Sequence, residues 1–82
     1  RAAADKRAET APLRKRISQA EVIIAQLTRQ LHKLDATLSD GELFTREPAR
    51  AADLSKTRAN VVAAIAKAEE EWLAASAALE TA

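Results

Sequence analysis

The stretch LRKRISQAEVIIAQLTRQLHKLDATL, residues 13–38, decides the fold. Its large apolar residues fall at Leu13, Ile17, Ile24, Leu27, Leu31, Leu34 and Leu38, and Ala20 fills the one missing step. The steps alternate between four and three residues, which places one apolar seam along a helix. In heptad terms Ile17, Ile24, Leu31 and Leu38 are at a, and Leu13, Ala20, Leu27 and Leu34 are at d. A seam this narrow needs a partner helix of the same kind.

Reading onward, SDGELFTREP (residues 39–48) breaks the period with the only Gly, the only Phe and the second of two Pro. This is a turn, and Pro48 suits the first position of a second helix. Beyond it the seam resumes as Leu54, Arg58, Val61, Ile65, Ala68, Trp72, Ala75 and Leu79. Fifteen of the sixteen slots are apolar, against about eight expected by chance from composition. The fold expected is therefore all-α, a two-helix antiparallel coiled-coil hairpin with a short structured turn. Helix one is placed at about 12–39, the turn at 40–47 and helix two at about 48–80, within a domain spanning 12–82. About 27 residues of helix make an arm about 40 Å long.

Pairing residues whose numbers sum to 92 sets every a against a d, with Ala20 facing Trp72, and Ala68 and Ala75 facing Ile24 and Ile17. Large against small fills a seam well. The rival register, slipped by one heptad to a sum of 85, leaves Leu79 unpaired and opposes Leu13 to Trp72. Arg58, the polar exception, is expected to turn toward Asp35 or solvent with its stem over Leu34. Arg16, beside the seam at g, is placed to pair with Glu71. At the turn, Asp40 can cap one helical turn from Glu42 to Phe44, and Leu43 and Phe44 are expected to cover the end of the seam near Leu38 and Ala51. An exposed Leu43–Phe44 tip that probes a partner is the alternative.

Working back from the seam, residues 1–11 (RAAADKRAETA) carry no large apolar residue and read as a linker or the end of a preceding helix. Thr10 can cap a helix that begins or kinks at Pro12. The chain opens on Arg rather than Met, as expected of a piece of a longer protein.

Composition narrows the function. The chain has 82 residues, of which 21 are Ala, one is Gly and none is Cys or Met. Thiol chemistry, disulfides and cysteine metal sites are excluded. The single His32 reads as a solvated helix residue, and no carboxylate pair, glycine-rich phosphate loop or HExxH motif is present. No apolar run approaches the ~18 residues of a membrane span. No metal site, no membrane partner and no enzyme activity are expected of this segment.

Net charge is +1, unevenly spread: residues 1–38 hold eight basic and four acidic side chains, a net of +4, and residues 39–82 hold five and eight, a net of −3. Two helices with complementary solvated faces account for this. A phosphate-reading surface is the sharper reading, and its candidates are Arg14, Lys15, Arg29, Lys33, Arg46, Arg50 and Lys56. Arg29 and Lys33 share a face at i, i+4. Against it, no aromatic residue interleaves with the basic ones, and Glu69-Glu70-Glu71 repels phosphate. Four large apolar residues lie off the seam. Ile23 and Val62, at g and e, are expected half-covered, whereas Val22 and Leu73 are expected exposed, as docking points or as scattered surface residues.

The turn LSDGELFTREPAR (38–50), then Leu54 and EEEWL (69–73), resembles the C-terminal domain of Uup-type ABC-F ATPases. That family's pattern reads LADPELYxRDPxRFxEL, followed by a heptad helix ending in EERWLELE. Asp40, Glu42, Leu43, Phe44 as the aromatic, Arg46, Pro48, Arg50 and Leu54 match in register, as do Glu69, Glu70, Trp72 and Leu73. The resemblance covers residues 12–80 and is specific at the turn and generic along the helices. Gly41 stands where the family has Pro, Glu47 where it has Asp, Ala51 where it has a large residue and Arg58 where it has Leu. The resemblance implies an antiparallel coiled coil at the end of a cytoplasmic ATPase with two nucleotide-binding domains, which bind ATP and Mg; this segment holds none of the ATPase motifs. It further implies association with DNA, or with structured RNA on the ribosome in translation, alongside the parent's own ATPase domains. A structural or protein-binding coiled coil is the alternative. A tRNA-binding arm such as that of seryl-tRNA synthetase shares the hairpin but lacks the turn motif.

Overall fold

A computed structural model describes all residues, 1–82, as three helices: α1 (Ala2–Leu38), α2 (Gly41–Arg46) and α3 (Pro48–Thr81). There is no strand. Helices α1 and α3 run antiparallel along their length, and short α2 rests on α3 at the tip. The molecule is a rod of 66 × 15 × 13 Å.

All sixteen seam positions are buried or half-buried, and none is exposed. The most enclosed are the small ones, Ala20, Val61 and Ala75. Two helices cannot bury a seam as a globular core does, so the long side chains stay half-covered.

The register is fixed by two polar bridges. Arg58 donates through Nε to Asp35, and the Trp72 indole donates to Glu21 at 3.3 Å. Both pairs of numbers sum to 93, and they are the same contact, e of α1 to a of α3, repeated two heptads apart. One uninterrupted register thus runs between them, within a residue of the 92 pairing. The 85 register would put Arg58 level with Leu27, about 12 Å of helix rise from Asp35. Arg16 meets Glu71 at 2.6 Å on the other flank, as expected, reaching across about 7.5 Å of rise with two long side chains.

Three local expectations need correction. Helix one starts at Ala2 and not at Pro12, so residues 2–11 are the first turns of α1, and the rod exceeds the 40 Å expected. The heptad phase continues backward to put Thr10 at a, where it is buried, while Pro12 falls at an outward c position. The backbone bond that Pro12 cannot make would have gone to the carbonyl of Ala8, also on the outer face, where water reaches it. Nor does Thr10 cap. Its hydroxyl donates back to the Lys6 carbonyl at 3.0 Å, and the Arg14 guanidinium bridges Thr10 Oγ1 and the Arg7 carbonyl, the latter at 2.8 Å. These bonds clasp the turn on both sides of the proline.

At the tip, Asp40 caps α2 as expected, its Oδ1 accepting from the Glu42 N–H at 3.0 Å. Pro48 opens α3. Leu43 of α2 and Ala51 of α3 are both buried, but Phe44 is half exposed. Adjacent helical residues point about 100° apart, so only one of the pair can face the seam.

Candidate nucleic-acid interface

The seven basic residues singled out in the sequence do not form one surface. Lys15 and Arg29 at f and Lys33 at c lie on the outer face of α1, and Lys56 at f lies on the outer face of α3, across the rod. Arg46 and Arg50 sit at the tip. Arg14 sits on the flank, already engaged by Thr10 and Arg7.

Charge pairing divides them further. Arg46 is held by Glu42 at 3.1 Å and Arg50 by Glu47 at 3.3 Å, both pairs exposed. With Asp40 nearby, the tip from Ser39 to Arg50 carries three carboxylates against two arginines. It attracts phosphate poorly. Lys15, Arg29, Lys33 and Lys56 make no salt bridge.

The outer face of α1 is distinctive for what it lacks. From Pro12 to Leu38 the helix has two carboxylates, Glu21 and Asp35, and both stand at e. Each is tied to α3, by Trp72 and Arg58. The b, c and f positions of that span hold Lys15, Arg29, Lys33, His32 and neutral side chains only. The outer face of α3 is mixed, with Lys56 and Lys67 beside Asp53, Glu70 and Glu80.

The bridging ions are shifted by their partners. The hydrogen bond from Arg58 holds Asp35 below the ordinary carboxylate range, and the one from Arg16 does the same for Glu71. Arg58 and Arg16 are raised in turn, first by those same hydrogen bonds. These four groups join the two helices and stay about half exposed.

Two further features were missed in the sequence. The Trp72–Glu21 bond leans the indole toward one flank, and on the other flank a groove of about 700 Å³ lies between Ala20, Ile23, Ala64 and Ala68. Off-seam Ile23 and Val62, at 46% and 41% exposure, are half covered, as expected of g and e positions. No cluster of three or more His, Asp or Glu could hold a metal ion, and no helix is long and apolar enough to cross a membrane.

The structure is thus a lone helical hairpin with basic residues along the outer face of its first helix. The model of the ABC transporter C-terminal domain matches residues 8–77, and the chain belongs to that family. It is thus an accessory domain of an ABC transporter-related protein, separate from the ATPase module. No curated protein and no solved structure matches the chain.

Proposed function

We propose that the hairpin is the nucleic-acid-binding C-terminal arm of a cytoplasmic ABC-F ATPase of the Uup type, gripping DNA or structured ribosomal RNA through phosphate contacts. The observation that carries this reading is the outer face of α1 from Pro12 to Leu38, which has no carboxylate, with Lys15, Arg29 and Lys33 unpaired along it. Arg29 and Lys33 are about 6 Å apart along the axis, and Lys15 lies about 21 Å from Arg29. A rigid helix presenting cations at such intervals can follow a backbone without reading bases. Lys56 and the two tip arginines are secondary, because they lie elsewhere or share their charge with Glu42 and Glu47. ATP and Mg belong to the parent's nucleotide-binding domains in this reading, and the arm supplies position.

Fluorescence anisotropy against duplex DNA and an RNA hairpin, titrated over several salt concentrations, tests it. Binding is expected with a negative slope of log K against log salt. The triple substitution Lys15→Gln, Arg29→Gln, Lys33→Gln should reduce that slope by about 2–3. Arg46→Gln with Arg50→Gln should reduce it less. Equal effects of the two sets would remove α1 as the interface, and no binding at low salt would leave a structural or protein-binding arm.

A further inference from the structure

The groove between α1 and α3 lies on the flank opposite the Trp72–Glu21 bond and borders the outer face of α1 at Gln19. Its floor is alanine, its α1 lip holds Ile23 with Arg16 and Gln19, and its α3 lip carries Lys67, Glu70 and Glu71. Val22 continues the apolar surface beyond Ile23, and both are about half exposed. Such a groove fits a helix with small side chains at the contact.

The chain contains that helix. Along the α3 lip the c and g positions hold Ala64, Lys67, Glu71 and Ala74 at steps of three, four and three. This series is symmetric about residue 69, small residues outside and opposite charges inside. Laid antiparallel on a second α3 about a two-fold axis at that level, Ala64 meets the other copy's Ala74, and Lys67 meets the half-exposed carboxylate of the other copy's Glu71, which its own Arg16 also holds, with Glu70 adjacent. The outward continuation, Asn60 against Ala78, is again small. In the hairpin register residue 69 is level with Ile23, so the exposed Ile23 sits at the axis and covers the same turn of the incoming helix. Net charge of +1 per copy opposes association little.

We propose that this flank is a self-complementary docking surface for a second copy of the chain, with α3 packed antiparallel on α3 and each Ile23 closing the groove over its partner. The symmetric order of charges distinguishes a second copy from an unrelated partner, because an isologous contact demands that residue i meet j and j meet i. The contact is short, so the dimer is weak and concentration-dependent.

The chain has no cysteine, so thiols can be placed freely. An equimolar mixture of Ala64→Cys and Ala74→Cys chains, oxidised mildly, should give mixed disulfides almost exclusively. Two Ala64→Cys chains alone should not cross-link, because their thiols would stand about 15 Å apart, beyond disulfide reach. In parallel, sedimentation of the unmodified chain should show mass rising above 8.8 kDa with concentration. Lys67→Glu should return it to monomer, and Lys67→Glu combined with Glu71→Lys and Arg16→Glu, which keeps residue 71 bridged to residue 16, should restore association. A statistical mixture of disulfides, a monomer at every concentration to about 1 mM, or failure of the charge swap in a helical protein would each overturn the proposal.

Discussion

Arg58 occupies a seam position that a heptad reserves for an apolar side chain, and it is tolerated because Asp35 stands one step away at e. Arg16 and Glu71 make the same kind of link on the opposite flank, and all four side chains remain roughly half exposed. The pH dependence follows from the acids. Asp35 and Glu71 are lowered from 3.8 and 4.5 by their arginines. A carboxylate depressed on folding contributes stability above its unfolded value and loses it as pH falls through the folded one. Both arginines are raised above their ordinary value by these hydrogen bonds and stay charged throughout. Thermal melts by circular dichroism should therefore hold their midpoint from pH 7 to about 5 and fall below that. The double variant Asp35→Asn, Glu71→Gln should melt lower at pH 7 and decline less on acidification. Parallel curves for the two proteins would refute the assignment. Both pairs were legible in the sequence, because heptad phase alone sets which residues flank a seam. The Trp72–Glu21 bond was not, since its existence depends on the direction in which the indole leans.

At the scale of the element, α1 shows how periodicity outranks punctuation. Pro12 marks a helix start by local rules, yet the helix passes through it, because the proline falls on the outer face and the seam phase continues to buried Thr10. The clasp of Thr10, Arg14 and the Arg7 carbonyl offsets part of the lost backbone bond. An internal proline costs about 3 kcal/mol relative to alanine. Pro12→Ala should accordingly raise stability by roughly 1–3 kcal/mol in urea unfolding, with a small gain in helicity. No change would mean that the first turns are already frayed and contribute nothing. Extending the heptad backward past Pro12 was the available signal for residues 2–11. The tip was half legible: Asp40 and Pro48 announce their roles by residue type, but Leu43 and Phe44 are equally apolar, and only the angle between neighbours on α2 decides which is buried.

For the whole molecule, chain order concealed how the basic residues are distributed. Seven candidates that look clustered along the sequence are dispersed over two outer faces, a flank and a tip once α3 folds back. That outcome was calculable from the register, so the register is the property to test first. Cysteines at Ile24 and Ala68 occupy one layer when numbers sum to 92, whereas Ile24 and Val61 do so when they sum to 85. The first pair should form an intramolecular disulfide readily and raise stability by about 2–4 kcal/mol by closing a long loop of the unfolded chain. The second pair would span about 10 Å of rise and should form slowly or at a loss of helicity. Peptide mapping of the oxidised protein and its urea midpoint read both quantities. Faster closure of the second pair would shift α3 one heptad along α1, separating Arg58 from Asp35. It would also move Ile23 level with residue 62, far from the two-fold position at 69 where the Lys67 and Glu71 charges balance. The self-docking surface therefore requires the 92 register, while the carboxylate-free face from Pro12 to Leu38 requires only that α1 be a continuous helix there.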